Sequence, residues 1–297
     1  MEQIEQRTLP GSIPQRRYGR SEDWLSIIGF GGILVSKISQ DLANRRVAEA
    51  VERGVNYFDV APSYHDAQDR LGPALEPYRK GVFLACKTTC RDAASARTEF
   101  EGSLKALRTD YFDLYQLHAL MDVQEDVEAA FAPGGVMEVL QQARKDGHIR
   151  HLGFSAHSER AALAAMYRFD FDSVLFPVNF AAIEFANFGP RVIEAARGRN
   201  MAVLALKAMA QGRWRDGDPR REQHPAIWYE PMVDERGREL ALRYTLALPV
   251  TAAIPPGDVQ FWDSALATAQ NARPLGDAER RELLRFKPEG NVIFSER

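Results

Sequence analysis

Eight short apolar runs alternate with eight longer amphipathic segments along this 297-residue chain, with no composition break between them. That order predicts an α/β fold, a single (β/α)8 TIM barrel domain over residues 1–297. Two further observations favour closure over an open doubly wound sheet. The apolar runs are nearly continuous, as parallel strands buried on both faces require. No G-x-G-x-x-G follows the first run, where "GFGG" is too short to count.

The units follow in order. "WLSIIGFGGILV" reads as a strand, and "SQDLANRRVAEAVERG" as its helix, opening on a Ser/Asp cap and closing on Gly54. "VNYFDVA" precedes "DAQDRLGPALEPYRKG". "VFLACKT" precedes "SARTEFEGSLKALRTD", where Phe100, Leu104 and Leu107 recur at helical spacing. "YFDLYQLHAL" leads to "GVMEVLQQARKDG", and "IRHLGFSAH" to "SERAALAAMYRF" with Ser158 as its cap. "FDSVLFPVNF" precedes "GPRVIEAARGRN"; "MAVLALKAM" precedes a long loop and then "ERGRELALRYTLAL". "VTAAIPPG" and "DVQFWDSALATAQN" close the series. The loop after strand seven, residues 211–237, carries Trp214, Trp228 and Tyr229 and is expected to cover a ligand, because loops after barrel strands surround the active face. The tail "RFKPEGNVIFSER" either folds over the mouth or packs on the barrel wall.

Composition narrows the function. An apolar fraction of 45% and a charged fraction of 27% suit a globule with a substantial core. A net charge of −3 gives no reason to expect nucleic acid or an acidic membrane surface as partner. The start "MEQIEQRTLP" lacks the basic and apolar regions of a signal peptide, and no apolar run is long enough to cross a bilayer. The two cysteines, Cys86 and Cys90, match neither a zinc knuckle nor a redox pair. So few thiols suit a reducing cytoplasm. Strand one carries no H-x-H and the other histidines no ligand spacing, so no metal is expected.

Polar groups sit where a barrel places its chemistry, at the C-terminal ends of strands. Strand two ends on Asp59, with Tyr64 in the loop beyond it; strand three ends near Lys87, and strand four near His118. Neighbouring parallel strands lie about 5 Å apart, so the four side chains converge on one pocket. An ammonium beside a phenol stabilises the phenolate and pulls its pKa down. A carboxylate beside the ammonium keeps the lysine charged. His118 orients a substrate oxygen, and Tyr64 protonates a carbonyl oxygen as negative charge builds there. Charge builds on that oxygen when hydride adds to its carbon, and no amino acid donates hydride, so a nicotinamide cofactor is implied.

These segments resemble the aldo-keto reductase family. "YGR", "GFGG", "NYFDVAPSY", "CKT", "SLKALRTDYFDLYQLH", "GHIRHLGFS" and a glycine-bearing turn after the last strand arrive in the family's order. The resemblance implies NADPH-dependent reduction of a small-molecule aldehyde or ketone, with Asp59, Tyr64, Lys87 and His118 as the tetrad. It implies cofactor contacts at Gly31, Gly32, Asp59, Ser155 and Gly257. Several positions depart from the family pattern. Ser155-Ala156 replaces Ser-Asn, Leu175 and Leu206 stand where a Gln and an aromatic are usual, and Lys207-Ala208-Met209 replaces Ser-Pro-Leu. Asn179 is expected to replace the missing Gln as an amide partner. Lys207 is expected to place its charge on the pyrophosphate, or else to pair with a local acid. Asp258, where an Arg often stands, disfavours a 2′-phosphate and accepts from ribose hydroxyls. The expected cofactor is therefore NADP(H), its preference weakened, with NAD(H) as the alternative.

Two other readings stay open: a Schiff-base lyase using Lys87 or Lys207, and a non-catalytic nucleotide-binding sensor with a remodelled pocket. His157 lies close to the same face and either contacts substrate or takes a capping or solvent-facing role.

Overall fold

The computed structural model describes residues 4–9, 11–288 and 290–295. Residues 1–3 and 10 of the leader segment, and 289, 296 and 297 of the tail, lie outside the described residues. Eight parallel strands form the barrel: β1 (Phe30–Gly31), β2 (Tyr57–Asp59), β3 (Phe83–Thr88), β4 (Phe112–Leu120), β5 (Ile149–Ala156), β6 (Ser173–Pro177), β7 (Ala202–Leu206) and β8 (Ala252–Ile254). They hydrogen-bond in sequence order. The ring closes through a parallel bridge between Ile28 and Ala253, where Gly29 N donates to Ala253 O (2.9 Å) and Ala253 N to Ile27 O (2.8 Å).

Eight helices alternate with the strands: α1 (Gln40–Glu52), α2 (Ala67–Leu75), α3 (Ala93–Ala106), α4 (Val136–Lys145), α5 (Glu159–Arg168), α6 (Pro190–Gly198), α7 (Glu235–Ala247) and α8 (Val259–Gln270). Side-chain caps start several of them. Ser39, Asp92 and Ser158 accept from Leu42 N, Ser95 N and Ala161 N, satisfying amides that the first turn leaves open. Buried positions then follow the helical period, as Ala43, Val47 and Ala50 do in α1.

The first apolar run is not one strand. Trp24–Ser26 pairs antiparallel with Gln15–Arg17, which pairs with Gln6–Arg7, and Gly32–Val35 winds into a 3-10 turn. This small sheet sends Tyr18 and Leu25 into the barrel interior against Tyr57, Phe83 and Ala202, the first residues of β2, β3 and β7. The N-terminal end of the barrel is therefore plugged with apolar side chains. The other end is where a chamber opens. Residues 207–234 join β7 to α7 and hold a short antiparallel pair, Ala210–Gly212 with Glu230–Pro231, and a 3-10 turn, Pro219–Gln223. The tail crosses the rim, where Ile293 is buried and the Phe294 ring stacks on His157 (5.1 Å, 10°) and Phe188 (5.6 Å, 22°).

Candidate functional site

Strand alternation explains why the polar residues meet. On β3, Phe83 and Ala85 lie in the barrel interior while Leu84 and Cys86 pack on the outer helical layer, so Lys87 falls on the inner face. Two-residue steps do the same for Tyr57 and Asp59 on β2, for Leu114, Gln116 and His118 on β4, and for Gly153 and Ser155 on β5. The register pairs Asp59 with Ala85 and Lys87 with Gln116, which brings these ends to one level.

Lys87 is fully buried and ion-paired to Asp59 Oδ1, and its Nζ also donates to Val60 O (3.3 Å). The second Asp59 oxygen accepts from Tyr57 OH (3.3 Å) and Gln116 Nε2 (3.2 Å). Tyr57 and Gln116 were missed by the sequence reading. Their only signal is position, two residues before Asp59 and His118 on the same inner faces. Tyr64, half-buried on the turn after β2, holds its ring 5.2 Å from Lys87 Nζ and edge-on to His118 (5.9 Å, 81°). His118 Nδ1 is buried and has no hydrogen-bond partner among the described residues.

The electrostatics differ from expectation at one point. Burial raises the Tyr64 phenol above its ordinary value of 10.0, and the opposing pull of Lys87 does not overcome it. Burial pushes the Lys87 ammonium down, but Asp59 and Tyr64 more than compensate and leave it raised. His118 is lowered to about 3 by burial and by the charges of Lys87, Arg91 and Lys207, so its ring is neutral. The set is thus a protonated phenol, a charged ammonium and a neutral imidazole facing one chamber.

That chamber has a volume of about 380 Å³ and is lined by Gly31, Asp59, Tyr64, Lys87, His118, Ser155, His157, Leu175, Leu206, Lys207, Trp228, Tyr229 and Gly257, among others. Of the expected cofactor contacts, Gly32, Asn179 and Asp258 are not on its wall. Gly32 begins the 3-10 turn and packs on Val60. Asn179 corrects the reading of strand six. β6 stops at Pro177, and Asn179 caps the short helix Phe180–Ala186, its Oδ1 accepting from Ala182 N (2.8 Å). Asp258 caps α8 by accepting from Gln260 N (2.9 Å), and its other oxygen lies 3.3 Å from His224 Nδ1. Ser155 Oγ accepts from Ala119 N (2.7 Å) at the chamber floor.

Lys207 follows β7 with a left-handed backbone (φ 59°) and is buried, its Nζ 3.2 Å from His157 Nε2. The expected pairing with a local acid is not found: no carboxylate reaches it among the described residues. Burial lowers it to about 7, and His157 to about 3. An elongated polar ligand fits this lining. Gly31 and Gly257 stand on the chamber wall, where glycine is required by packing: a Cβ on Gly257 would lie 1.9 Å from Ile33 Cγ2, and one on Gly31 3.2 Å from Ile254 Cγ2. Neutral His118 and the Lys207 ammonium, both on the chamber wall, offer hydrogen-bonding and anion-binding groups that either a nicotinamide nucleotide or an anionic substrate would engage. No group of three or more His, Cys, Asp or Glu able to hold a metal occurs among the described residues.

The model of the aldo/keto reductase family matches residues 27–255. Over 146 residues the chain is 34% identical to the aldo-keto reductase YhdN of Bacillus subtilis, covering 43% of this chain and 41% of that protein. It is 27% identical over 156 residues to the uncharacterized oxidoreductase YqkF of the same organism, covering 48% of each. The matches thus span less than half the length of these two relatives. An aldo-keto reductase from Bacillus halodurans in its holo form superposes with a TM-score of 0.71 at 20% identity, over 94% of this chain and 98% of that one. At that identity the likeness concerns the fold.

Proposed function

The chain belongs to the aldo/keto reductase family, and from that premise we propose that it reduces the carbonyl of a small aldehyde or ketone to an alcohol with a nicotinamide cofactor. The observation that carries the proposal is Lys87, buried against Asp59 with the Tyr64 ring 5.2 Å away. A bound nicotinamide supplies the hydride. Tyr64 then gives its proton to the carbonyl oxygen as charge develops there. Because burial holds the phenol above its ordinary value, Tyr64 is fully protonated at neutral pH and releases its proton only to a strongly basic oxygen. Lys87 stabilises the phenolate left behind. Neutral His118, on the wall of the same chamber, orients the substrate oxygen. Asp59, fixed by Tyr57 and Gln116, keeps the ammonium charged and in place.

Ser155 and Gly31 would face the nicotinamide end and Gly257 the phosphate end. The Asp258 carboxylate lies at the start of α8, where it weakens attraction for a 2′-phosphate. NADPH preference is accordingly reduced relative to NADH. Lys87 is engaged by Asp59 and Val60 O, which argues against its acting as a free amine nucleophile.

The test is absorbance at the reduced-nicotinamide band, with NADPH and NADH in turn, against a panel of short aldehydes and ketones. Carbonyl-dependent loss of the band is expected. Its absence with every carbonyl and both cofactors would overturn the proposal.

A further inference from the structure

Lys207 lies on the chamber wall but takes no part in the proton transfer assigned to Tyr64, Lys87 and His118. Its side chain is nine-tenths buried, yet it has no carboxylate partner among the described residues. An ammonium carries three N–H donors. One reaches His157 Nε2 at 3.2 Å, and the others find no acceptor among the described residues. Around it stand aromatic faces, Trp228 at 5.2 Å, Phe294 at 5.3 Å and Tyr229 at 6.0 Å. Among the described residues Asp59 is the sole carboxylate on the chamber wall, and Lys87 already neutralises it. A buried unpaired charge is costly unless a counter-charge arrives. The chamber therefore carries a net positive site whose charge reaches His118, the neighbour of Tyr64.

We propose that Lys207, braced by His157 beneath Trp228 and Phe294, is a specificity-determining residue that takes the carboxylate of a carbonyl substrate, so that the preferred substrates are aldehydes or ketones bearing a negative charge. The proposal rests on the reductase reading and narrows it to a substrate class. The rings suit an apolar body between the carboxylate and the carbonyl, and exclusion of water by them strengthens the ion pair. The other source of the same anion chemistry is the cofactor diphosphate, which the experiment separates.

Two probes of matched shape, 4-carboxybenzaldehyde and 4-methylbenzaldehyde, are compared by kcat/KM in the unmodified protein, in Lys207→Met and in Lys207→Arg. The unmodified protein is expected to favour the carboxylate by about tenfold or more, the methionine variant to bring the ratio near unity, and the arginine variant to restore part of it. A ratio that persists in Lys207→Met overturns the proposal. So does an effect confined to a weaker cofactor Kd, since the ammonium would then serve the diphosphate. Calorimetric binding of the unreactive 4-methylbenzoate, with and without cofactor, gives a readout that needs no turnover. If neither aldehyde is reduced, the reductase reading fails, and the carboxylate site is still judged. Binding lost in Lys207→Met upholds it, and equal binding in both proteins overturns it.

Discussion

At the scale of single residues, two lysines in one chamber behave oppositely because one has a partner. Lys87 keeps its proton against Asp59, whereas Lys207, with no carboxylate partner among the described residues, is lowered by burial to about 7. Lys87→Met strands a buried carboxylate, and such losses cost about 3–5 kcal/mol. Chemical denaturation should show destabilisation of that order, along with loss of turnover. For Lys207 the sign runs the other way. Its folded pKa is below its ordinary value of 10.5, so between about 7 and 10 the unfolded chain binds the extra proton and stability rises with pH. Lys207→Met removes that penalty. The variant is expected to melt higher than the unmodified protein at pH 6, with the difference shrinking by pH 9. A difference independent of pH would count against the unpaired-charge reading. That Asp59, Lys87 and His118 share one end of the barrel, with Tyr64 on the turn beyond, was legible in the sequence because charged or polar side chains interrupt apolar runs at strand ends. Tyr57 and Gln116 were not, since nothing in a run of strand residues marks which member holds a neighbour's carboxylate. Asn179 was misplaced because the same residue type serves as strand-end amide and as helix cap.

At the scale of elements, close contacts decide more than propensity does. Gly72 sits inside α2, where alanine would raise helix propensity by about 1 kcal/mol. A Cβ there would lie 2.1 Å from Ala106 O and 2.9 Å from Leu107 Cα, backbone atoms at the end of α3 that cannot swing away. Overpacking of this kind costs about 1–3 kcal/mol, so the contact outweighs the propensity. Gly72→Ala should lower the melting temperature while leaving the chamber intact; an unchanged or raised melting temperature would contradict this packing. The alternation of strands and helices was legible because each has its own hydrophobic period. The division of "WLSIIGFGGILV" was not. Apolar character is shared by Trp24–Ser26, which covers the barrel floor, by Phe30–Gly31 in the barrel, and by the turn between β1 and α1. Only long-range pairing with Gln15–Arg17 and Asp59 separates them.

At the scale of the whole molecule, closure through Ile28 and Ala253 completes the ring, and the plug of Tyr18 and Leu25 leaves one end of the barrel for chemistry. The chamber is asymmetric, with the Asp59–Lys87 pair on one wall and Lys207 with His157 on the other. Asp258, which caps α8 off the chamber wall, is proposed to bear on cofactor choice. Titration with NADPH and NADH should give affinities closer than a dedicated 2′-phosphate grip would produce, and a strong NADPH preference would contradict the weighting of Asp258. The proposed reduction requires that the proton leave Tyr64. Tyr64→Phe keeps the ring against His118 and removes the acid, and general acids of this kind contribute about 10²–10⁴ in rate. Measured with saturating cofactor, kcat should fall by that factor while the cofactor Kd holds. Full turnover in Tyr64→Phe would show that the proton comes from elsewhere.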